Sequence, residues 1–304
     1  MVAVLGGFGF IGSHLCRELV SQGRRVRIIG KNTSAVDRLG DFANHIEALP
    51  CDICETDSVL NALEGVNSLI HLAHSSVPQD SSDDPNADIV ENLVSAARLA
   101  SRLGETGVEK VIFVSTGGAI YGANNQPGIT ESSATNPISS YGITKLAAEK
   151  YFHMYCQVNE IRCLIARPAN VYGPAQRMNK AQGLIGTLAY RALQGITIEI
   201  WGNGSVIRDY IYVDDLVVGL IKLLDYRGSE SVFNIGTNTG ATVSAVLQIM
   251  KTQLDKFPPI IYKPGRNVDV PSSILDSSLL ERETGWRKRV DLEDGISRVI
   301  KSFR

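Results

Sequence analysis

The chain has 304 residues, of which 44 % are hydrophobic and 20 % are charged, and its formal net charge is −2. This composition excludes a disordered chain, which would be less hydrophobic and more strongly charged. The slightly acidic balance also argues against a nucleic-acid-binding protein that works through bulk positive charge. The length is sufficient for one large domain or two of moderate size.

No apolar run reaches the roughly 20 residues that span a bilayer. The N-terminal apolar stretch lacks a basic leader and is interrupted by glycines. We therefore expect a cytoplasmic protein with no membrane segment. The five cysteines are scattered and odd in number, which argues against a disulfide framework. Cys51 and Cys54 have no second pair nearby, so we expect reduced structural thiols and no metal site.

Short β-branched runs alternate with helical patterns in the first half of the chain. The strand candidates are residues 2–5, 25–29, 46–49, 68–72, 111–115 and 161–166. The helix candidates between them are residues 12–22, 56–63, 87–103 and 140–159. Apolar runs of this length suit parallel strands that are buried on both faces. The alternation predicts an α/β Rossmann fold, which is a doubly wound parallel sheet with right-handed crossovers.

After about residue 174 glycine and proline become frequent, and helical patterns alternate with isolated strands. We interpret residues 1–173 as a dinucleotide-binding Rossmann domain and residues 174–304 as mainly a smaller α/β substrate-binding part. Residues 210–213 and 232–235 have the pattern of buried strands, so a segment at about 209–237 is expected to return to the Rossmann sheet. A cleft between two such parts commonly binds ligands.

A glycine-rich turn follows the first predicted strand and opens the first helix. Gly6, Gly9 and Gly12 fit the spacing G-x-x-G-x-x-G, and Gly7 in place of Gly6 fits G-x-G-x-x-G. Glycine permits the sharp turn, the close approach of the backbone to a pyrophosphate and tight packing of helix on strand. The helix N-terminus offers free N–H groups to phosphates. In this context the turn predicts dinucleotide binding.

The acid that usually follows the second strand and holds the adenosine ribose is absent. Lys31 and Asn32 stand there instead. Lys31, with Arg38 near it, would suit the 2′-phosphate of NADP, whereas Asn32 or backbone groups would hold NAD, which we slightly favour. Asp52 follows the third strand, with Ile53 after it, and is placed to reach the adenine edge.

Tyr141 and Lys145 stand four residues apart in a predicted helix and therefore share one face. A free phenol, with a pKa of about 10, is a poor base at neutral pH. A nearby ammonium and a nicotinamide cation would lower that pKa, so that Tyr141 takes a proton from a hydroxyl while hydride leaves the same carbon. Ser115 and Thr116 end a predicted strand at the ligand edge of the sheet. We favour Thr116 as the bridge between the substrate oxygen and Tyr141, and leave Ser115 open.

The ordered motifs resemble a known family over nearly the whole chain. They are GGFGFIGSH, CDI, HLAH, VSTGGAIYG, YGITKLAAE, RPANVYGP, GNGSVIRDYIYVDDL and GRNVDVPSSILDSSLLERETGW. This set resembles the extended short-chain dehydrogenase/reductase family, of the NAD-dependent epimerase/dehydratase type and in particular the UDP-glucose 4-epimerase-like nucleotide-sugar epimerases. The resemblance implies that Tyr141 is the proton acceptor and that Lys145 binds the nicotinamide ribose.

The resemblance also assigns further site residues. Beyond the glycines, Tyr141 and Lys145, the cofactor contacts would come from Phe10, Ile11, Asp52, Ile53, Leu72, Ala73, His74, Asn92 and Pro168. The substrate contacts, besides Tyr141, would come from Thr116, Gly117, Asn170, Arg208 and Arg266. Arginine suits a diphosphate because its guanidinium binds phosphate oxygens in pairs. For Arg208 the alternative is an ion pair with Asp209, Asp214 or Asp215.

Two departures from the family pattern bear on the reaction. Gly117 stands where many members have a catalytic serine, so Thr116 or Ser115 must supply the hydroxyl, or Tyr141 acts alone. Gly117 and Gly118 also stand where the related 4,6-dehydratases carry an Asp-Glu pair, which counts against a dehydratase. Our leading hypothesis is a nucleotide-sugar 4-epimerase that works by transient hydride transfer to NAD through a 4-keto intermediate.

Two alternatives remain. An NADP-dependent reductase of a 4-keto-6-deoxy nucleotide sugar would use the same Tyr141 and Lys145, and Lys31 supports it. A non-catalytic dinucleotide-binding sensor is the more remote alternative. In each enzymatic hypothesis the partner is a nucleotide-diphosphate sugar, and no nucleic acid or membrane is involved. The resemblance further implies a homodimer built on the helices at 87–103 and 140–159.

Overall fold

The computed structural model describes residues 1–31, 33–75, 81, 83–123, 128–176, 183–265 and 270–304, with only the backbone described at 33–38. Two compact units are formed. Residues 1–116, 139–167 and 217–233 make the first unit, and residues 117–138, 168–216 and 234–304 make the second. The chain therefore passes between the units several times. The division at residue 173 stays a prediction.

The strands are β1 (Val2–Leu5), β2 (Val26–Gly30), β3 (Ile46–Pro50), β4 (Ser68–His71), β5 (Lys110–Val114), β6 (Arg162–Pro168), β7 (Asn170–Tyr172), β8 (Ile198–Trp201), β9 (Ile207–Arg208), β10 (Tyr210–Tyr212), β11 (Val232–Ile235), β12 (Ala241–Thr242), β13 (Ile260–Lys263) and β14 (Ser272–Ser273). The α-helices are α1 (Phe10–Ser21), α2 (Thr56–Ala62), α3 (Pro85–Asp88), α4 (Ser95–Arg102), α5 (Gly117–Ile120), α6 (Ser140–Val158), α7 (Leu184–Leu193), α8 (Val213–Asp225), α9 (Val243–Gln253), α10 (Ser278–Thr284) and α11 (Leu292–Lys301). A π-helical turn, Ile89–Val94, joins α3 to α4, and 3₁₀ turns cover Thr33–His45 and Leu103–Glu105.

A seven-stranded sheet has the order β11-β6-β5-β4-β1-β2-β3. Neighbouring strands from β3 to β6 pair in parallel. Every residue of β1 and of β5 is buried, which is why these strands read as continuous apolar runs. The strand order reverses between β1 and β4, and ligands of such sheets bind at the carboxyl ends of the strands there. The prediction of a doubly wound Rossmann fold is confirmed.

One face of this sheet carries a hydrophobic cluster that fixes the helices bearing the candidate site. Phe113 of β5 stacks on Phe152 of α6, with ring centroids 4.8 Å apart, and Leu99 of α4 belongs to the same cluster. Burying each such side chain contributes roughly 1.5–3 kcal/mol. α6 begins at an N-cap in which Ser139 Oγ accepts the Gly142 N–H. The predicted helix at 87–103 is interrupted in the structure by the π-helical turn.

The second unit contains small sheets. β10 pairs in parallel with β7, β9 lies between β12 and β14, and β8 pairs in parallel with β13. Thus residues 210–212 pair with β7, whereas β11 lies at the edge of the seven-stranded sheet beside β6. Within the described part of the chain, none of the helices is both long and apolar enough to span a bilayer.

Candidate active site

The turn between β1 and α1 and the start of α1 carry glycines at positions where a side chain would not fit. At Gly6 φ is +88°, and a Cβ atom would lie 2.8 Å from the Ala73 backbone nitrogen. At Gly12 a Cβ atom would lie 2.5 Å from the Gly6 carbonyl oxygen. α1 begins after Gly9 with no side-chain cap and no acid in its first turn, which holds Phe10 and Ile11. The cradle fits a pyrophosphate bound by helix N–H groups.

The segment after β4 lies directly against this turn. Leu72 N–H donates to the Leu5 carbonyl over 2.9 Å, and Ala73 makes the close approach to Gly6. Leu72, Ala73 and His74 thus follow the strand next to β1, at the point where the strand order reverses. The sequence assigned these residues to the cofactor, and their place in the sheet is the one such a role requires.

An ion pair lies at the end of β2, where the sequence itself has no acidic residue. Lys31 Nζ lies 2.8 Å from Asp52 Oδ2, and Asp52 Oδ1 accepts the Cys54 N–H over 2.9 Å. Partial burial opposes the charge on Asp52, but the hydrogen bonds from Lys31 and Cys54 outweigh it and lower the Asp52 pKa. The same hydrogen bond raises the pKa of Lys31. A carboxylate therefore reaches the end of β2 from β3. Asn32, the neighbouring candidate, lies outside the described residues.

Tyr141 forms a side-chain hydrogen bond with Thr116. Burial disfavours the phenolate and raises the pKa of Tyr141 to about 12. The negative charge of Asp88 acts in the same direction, whereas the hydrogen bond with Thr116 favours the phenolate and opposes the shift. Ser115 Oγ is buried and has no hydrogen-bond partner within the described residues. Without a bound cation, Tyr141 is therefore a neutral phenol at physiological pH.

Lys145 lies one turn along α6 from Tyr141, and its ammonium is anchored on β5. Nζ donates to the Val114 carbonyl over 3.1 Å and lies 5.2 Å from the centre of the Phe113 ring. Burial lowers the pKa of Lys145 to about 8, although the negative charges of Glu149 and Asp88 oppose this shift. The sequence argument credited Lys145 with lowering the Tyr141 pKa. In the structure the hydrogen bond with Thr116 has that effect.

Asp88 is a buried acid that the sequence argument overlooked. Its Oδ2 accepts hydrogen bonds of 3.0 Å from both Ser140 Oγ and Thr144 Oγ1 of α6. Its Oδ1 accepts the Asn92 amide over 2.9 Å, and Asn92 Oδ1 in turn accepts the Ser75 N–H over 2.8 Å. Asn92, predicted as a cofactor ligand, thus ties the segment after β4 to Asp88. The i, i+4 spacing of Asp88 and Asn92 was the only signal in the sequence.

A second buried acid lies two turns from Tyr141 on the same helix. Glu149 forms a two-point ion pair with Arg167 of β6, with Nε to Oε1 3.1 Å and Nη2 to Oε2 2.6 Å. Both side chains are at most 5 % exposed. The pair fixes α6 on the end of β6. Pro168, a predicted cofactor contact, is the next residue and is buried.

The second unit holds the predicted substrate residues. Asn170 of β7 stands opposite Tyr210 of β10, and Asn170 N–H donates to the Asp209 carbonyl over 3.0 Å. Arg208 Nη1 donates to the carbonyls of Ile207 and Val270, over 2.9 and 2.6 Å. The structure thus brings Asn170 near the strand that carries Arg208. Gly117 begins α5, and Arg266 lies outside the described residues.

The acids beside Arg208 have partners of their own. The Asp209 carboxylate accepts hydrogen bonds from Thr237 N and Oγ1 and from Leu275 N. Burial nevertheless dominates and raises the pKa of Asp209 to about 6. Asp215 accepts the N–H groups of residues 289 and 290, each over 3.0 Å. Both acids therefore serve the architecture of the second unit.

Fold and site together define a dinucleotide-binding α/β protein with a tyrosine–lysine pair at the sheet edge. The sequence profile of the NAD dependent epimerase/dehydratase family matches residues 2–236. The chain belongs to this family.

Relatives of this family match the whole chain. The UDP-glucose 4-epimerase of Mycolicibacterium smegmatis is 31 % identical, with 99 % of this chain and 97 % of that protein covered. The dTDP-4-dehydro-6-deoxyglucose reductase of Escherichia coli is also 31 % identical, with 100 % and 97 % covered. The crystal structure of UDP-glucose 4-epimerase from Thermotoga maritima with UDP-glucose superimposes with a TM-score of 0.91 at 34 % identity, covering 99 % and 98 % of the two chains. The NAD complex of the Thermus thermophilus UDP-glucose 4-epimerase has a TM-score of 0.90 at 29 % identity, with the same coverage.

Proposed function

We propose that the protein is an NAD-dependent nucleotide-sugar 4-epimerase of the UDP-hexose type. The hydrogen bond between Tyr141 and Thr116 carries this proposal, because it occurs at the carboxyl edge of the sheet beside a glycine cradle that fits a dinucleotide. The full-length similarity to UDP-glucose 4-epimerases supports the substrate class.

Each residue of the site has a defined part in this reaction. Bound NAD would supply the hydride chemistry of the reaction. Tyr141 takes the proton of the 4-hydroxyl as the 4-keto sugar forms, and gives it back afterwards. Thr116 aligns the phenol through its hydroxyl. Lys145, with a pKa of about 8, keeps its proton at pH 7 and is a donor for the nicotinamide ribose.

The glycine cradle, together with Phe10 and Ile11, would hold the pyrophosphate of the cofactor, and Asp52 and Ile53 would meet its adenosine. Leu72 to His74, Asn92 and Pro168 complete the proposed cofactor contacts. Asn170, Arg208 and Arg266 are the proposed ligands of the sugar diphosphate. Anchoring the diphosphate while the 4-keto sugar turns round allows hydride to return to the opposite face.

The direct test has two steps. The purified protein is denatured, and the released nucleotide is identified by chromatography, where near-stoichiometric NAD is expected. UDP-glucose and UDP-galactose, and then their N-acetyl forms, are incubated with the protein, and interconversion is followed by NMR. A protein that releases no NAD and interconverts none of these sugars would contradict the proposal.

The second candidate is an NADP-dependent reductase of a 4-keto-6-deoxy nucleotide sugar. The full-length similarity to the Escherichia coli reductase favours it, whereas the ion pair of Lys31 with Asp52 opposes it. A reductase would consume NADPH in the presence of a 4-keto sugar nucleotide and would bind NADPH more tightly than NADH. Either result, together with an absence of bound NAD, would replace the epimerase proposal.

Changing Asp52 to Asn is expected to shift cofactor preference towards NADP. In the structure the Asp52 carboxylate neutralises Lys31 at 2.8 Å and would repel a 2′-phosphate. The variant frees the ammonium, so the affinity for NADP relative to NAD should rise about fivefold, or roughly 1 kcal/mol for a largely exposed charge. Isothermal titration calorimetry measures both affinities. Asp57→Asn, which removes an exposed carboxylate of α2, is the control. An unchanged ratio would show that the ion pair plays no part in the choice.

We infer that the protein is a homodimer. Exposed apolar side chains line one face of α6 and the π-helical turn packed against it, namely Ile89, Val90, Ile143, Tyr151, Met154 and Val158. Such a face resembles the seam of a helix bundle. Val158→Asp is expected to turn a dimer into a monomer in sedimentation velocity. Ile261→Asp, at an exposed apolar residue of β13, should leave the mass unchanged. A wild-type monomer at micromolar concentration would contradict this inference.

We also infer a cytoplasmic location. All five cysteines are free thiols in the structure, as in proteins of reducing compartments. Fractionation of cells that express the protein would check this expectation, and recovery in the membrane fraction would oppose it.

A further inference from the structure

His74 is in contact with both Tyr141 and Asp88. The imidazole meets the Tyr141 ring edge to face, with centroids 4.9 Å apart and an interplanar angle of 84°. Its Nε2 lies 3.7 Å from Asp88 Oδ1. The His74 side chain is 12 % exposed and that of Asp88 is fully buried. The imidazole is thus held against the ring of the proposed catalytic phenol and beside a buried carboxylate.

Asp88 is immobilised on the helix that carries Tyr141. Ser140 and Thr144, which flank Tyr141 on α6, both donate to Asp88 Oδ2, and the π-helical turn supplies Asn92 to Oδ1. π-helical turns are frequent at functional sites. Deletion of this carboxylate would therefore disturb the first turn of α6, whereas Asn in its place retains an acceptor for the two hydroxyls.

The buried carboxylate works against the proposed chemistry. A negative charge near a phenol disfavours the phenolate, and Asp88 has this effect on Tyr141. Within the described residues, the charged groups that act on Tyr141 and its neighbour Lys145 are Asp88 and Glu149, and Glu149 is paired with Arg167. His74, which lies against the Tyr141 ring and 3.7 Å from Asp88 Oδ1, has the position to offset this negative charge when its imidazole is protonated.

We propose that His74 is a positioning residue for Tyr141: its imidazole, fixed by the Asp88 carboxylate, holds the phenol ring edge-on and neutralises the negative charge beside it. This inference rests on the proposed role of Tyr141 as the proton acceptor. It adds to the site an imidazole–carboxylate pair that acts on the phenol from the side of β4.

The test compares His74→Phe, Asp88→Asn and the double variant. Phe keeps an aromatic ring against Tyr141 but removes the imidazolium charge beside Asp88, so the pKa of Tyr141 should rise by about one unit. Asp88→Asn removes that charge, so the pKa should fall. The double variant should return close to wild type, because neither charge remains. His153→Phe, at an exposed position of α6, should change nothing.

Two readouts are used on the protein as purified. The first is the pH titration of tyrosinate absorbance without substrate, taken as the difference between each variant and the same variant carrying Tyr141→Phe. The second is the pH profile of kcat, in which the rising limb should move with the titration while KM stays nearly constant. The first readout tests the role of His74 even if no tested sugar is epimerised. A failure of the epimerase proposal can therefore be distinguished from a failure of the His74 proposal.

We expect the Tyr141 pKa to shift in opposite directions in the two single variants and to return close to its wild-type value in the double variant. If both single variants shift the Tyr141 titration in the same direction, or if neither shifts it, the proposal is overturned. A loss of activity in His74→Phe that Asp88→Asn does not repair would likewise overturn it, since it would show a purely structural role. If His74→Phe does not fold, His74→Gln, which also removes the imidazole, takes its place and has to raise the Tyr141 pKa; an unchanged pKa in that variant would overturn the proposal.

Discussion

Tyr141→Phe is expected to lower kcat for sugar interconversion by about 10²- to 10⁴-fold, the usual contribution of a positioned acid–base group. KM should change little, since the proposed diphosphate ligands lie in the second unit and are untouched. The amount of NAD that copurifies should stay the same, because the glycine cradle does not depend on the phenol. Steady-state kinetics and chromatography of the released nucleotide measure these quantities.

A matched control separates the chemistry from the loss of a hydroxyl. Tyr262→Phe removes the hydroxyl of an exposed tyrosine on β13 and should leave kcat within a factor of two. The kcat of Thr116→Val should lie between those of Tyr141→Phe and Tyr262→Phe, because this variant removes the hydrogen bond that favours the phenolate. If Tyr141→Phe retained more than a tenth of wild-type kcat, Tyr141 would not be the proton acceptor.

Glu149→Gln is expected to reduce the free energy of unfolding by about 3–5 kcal/mol, because it removes the buried negative charge that pairs with the Arg167 guanidinium. Both hydrogen bonds of the pair join α6 to β6. The substitution therefore weakens the attachment of the helix that carries Tyr141 and Lys145. Urea unfolding followed by circular dichroism measures the change. Glu149→Leu combined with Arg167→Met should recover most of the stability, since a buried pair replaced by apolar side chains is often neutral.

An exposed ion pair provides the comparison. Arg24 binds Asp225 through two hydrogen bonds of 2.9 and 2.7 Å, but the aspartate is 54 % exposed. Asp225→Asn should therefore cost no more than about 1 kcal/mol. If Glu149→Gln were no more destabilising than Asp225→Asn, burial would not determine the strength of the Glu149–Arg167 pair.

Several features could be predicted because they depend on local patterns. The glycine turn, each single buried strand and the i, i+4 pair of Tyr141 and Lys145 are encoded within a dozen residues. Hydrophobic periodicity indicates which face of a helix or strand is buried. Turn positions that have no room for a side chain require glycine. The motifs that resemble the family occur in the family's order over nearly the whole chain, and they link these local features to one fold.

Other features arise between residues that are distant in the chain. The sequence showed no acid after β2, yet β3 delivers Asp52 to Lys31. The sequence analysis did not single out Asp88, yet its carboxylate is buried against Ser140 and Thr144, more than fifty positions away. The sequence favoured Thr116 and left Ser115 open, and the hydrogen bond of Thr116 with Tyr141 is visible only in the folded chain.

The sequence by itself thus determined the Rossmann fold and predicted the dinucleotide cradle and the tyrosine–lysine pair, because each follows from local periodicity, glycine geometry or helical spacing. Only the tertiary structure decided which hydroxyl meets Tyr141, which acid reaches Lys31 and how His74 and Asp88 surround the phenol. Those contacts depend on how strands and helices pack side by side, and burial then sets the ionisation of every group among them.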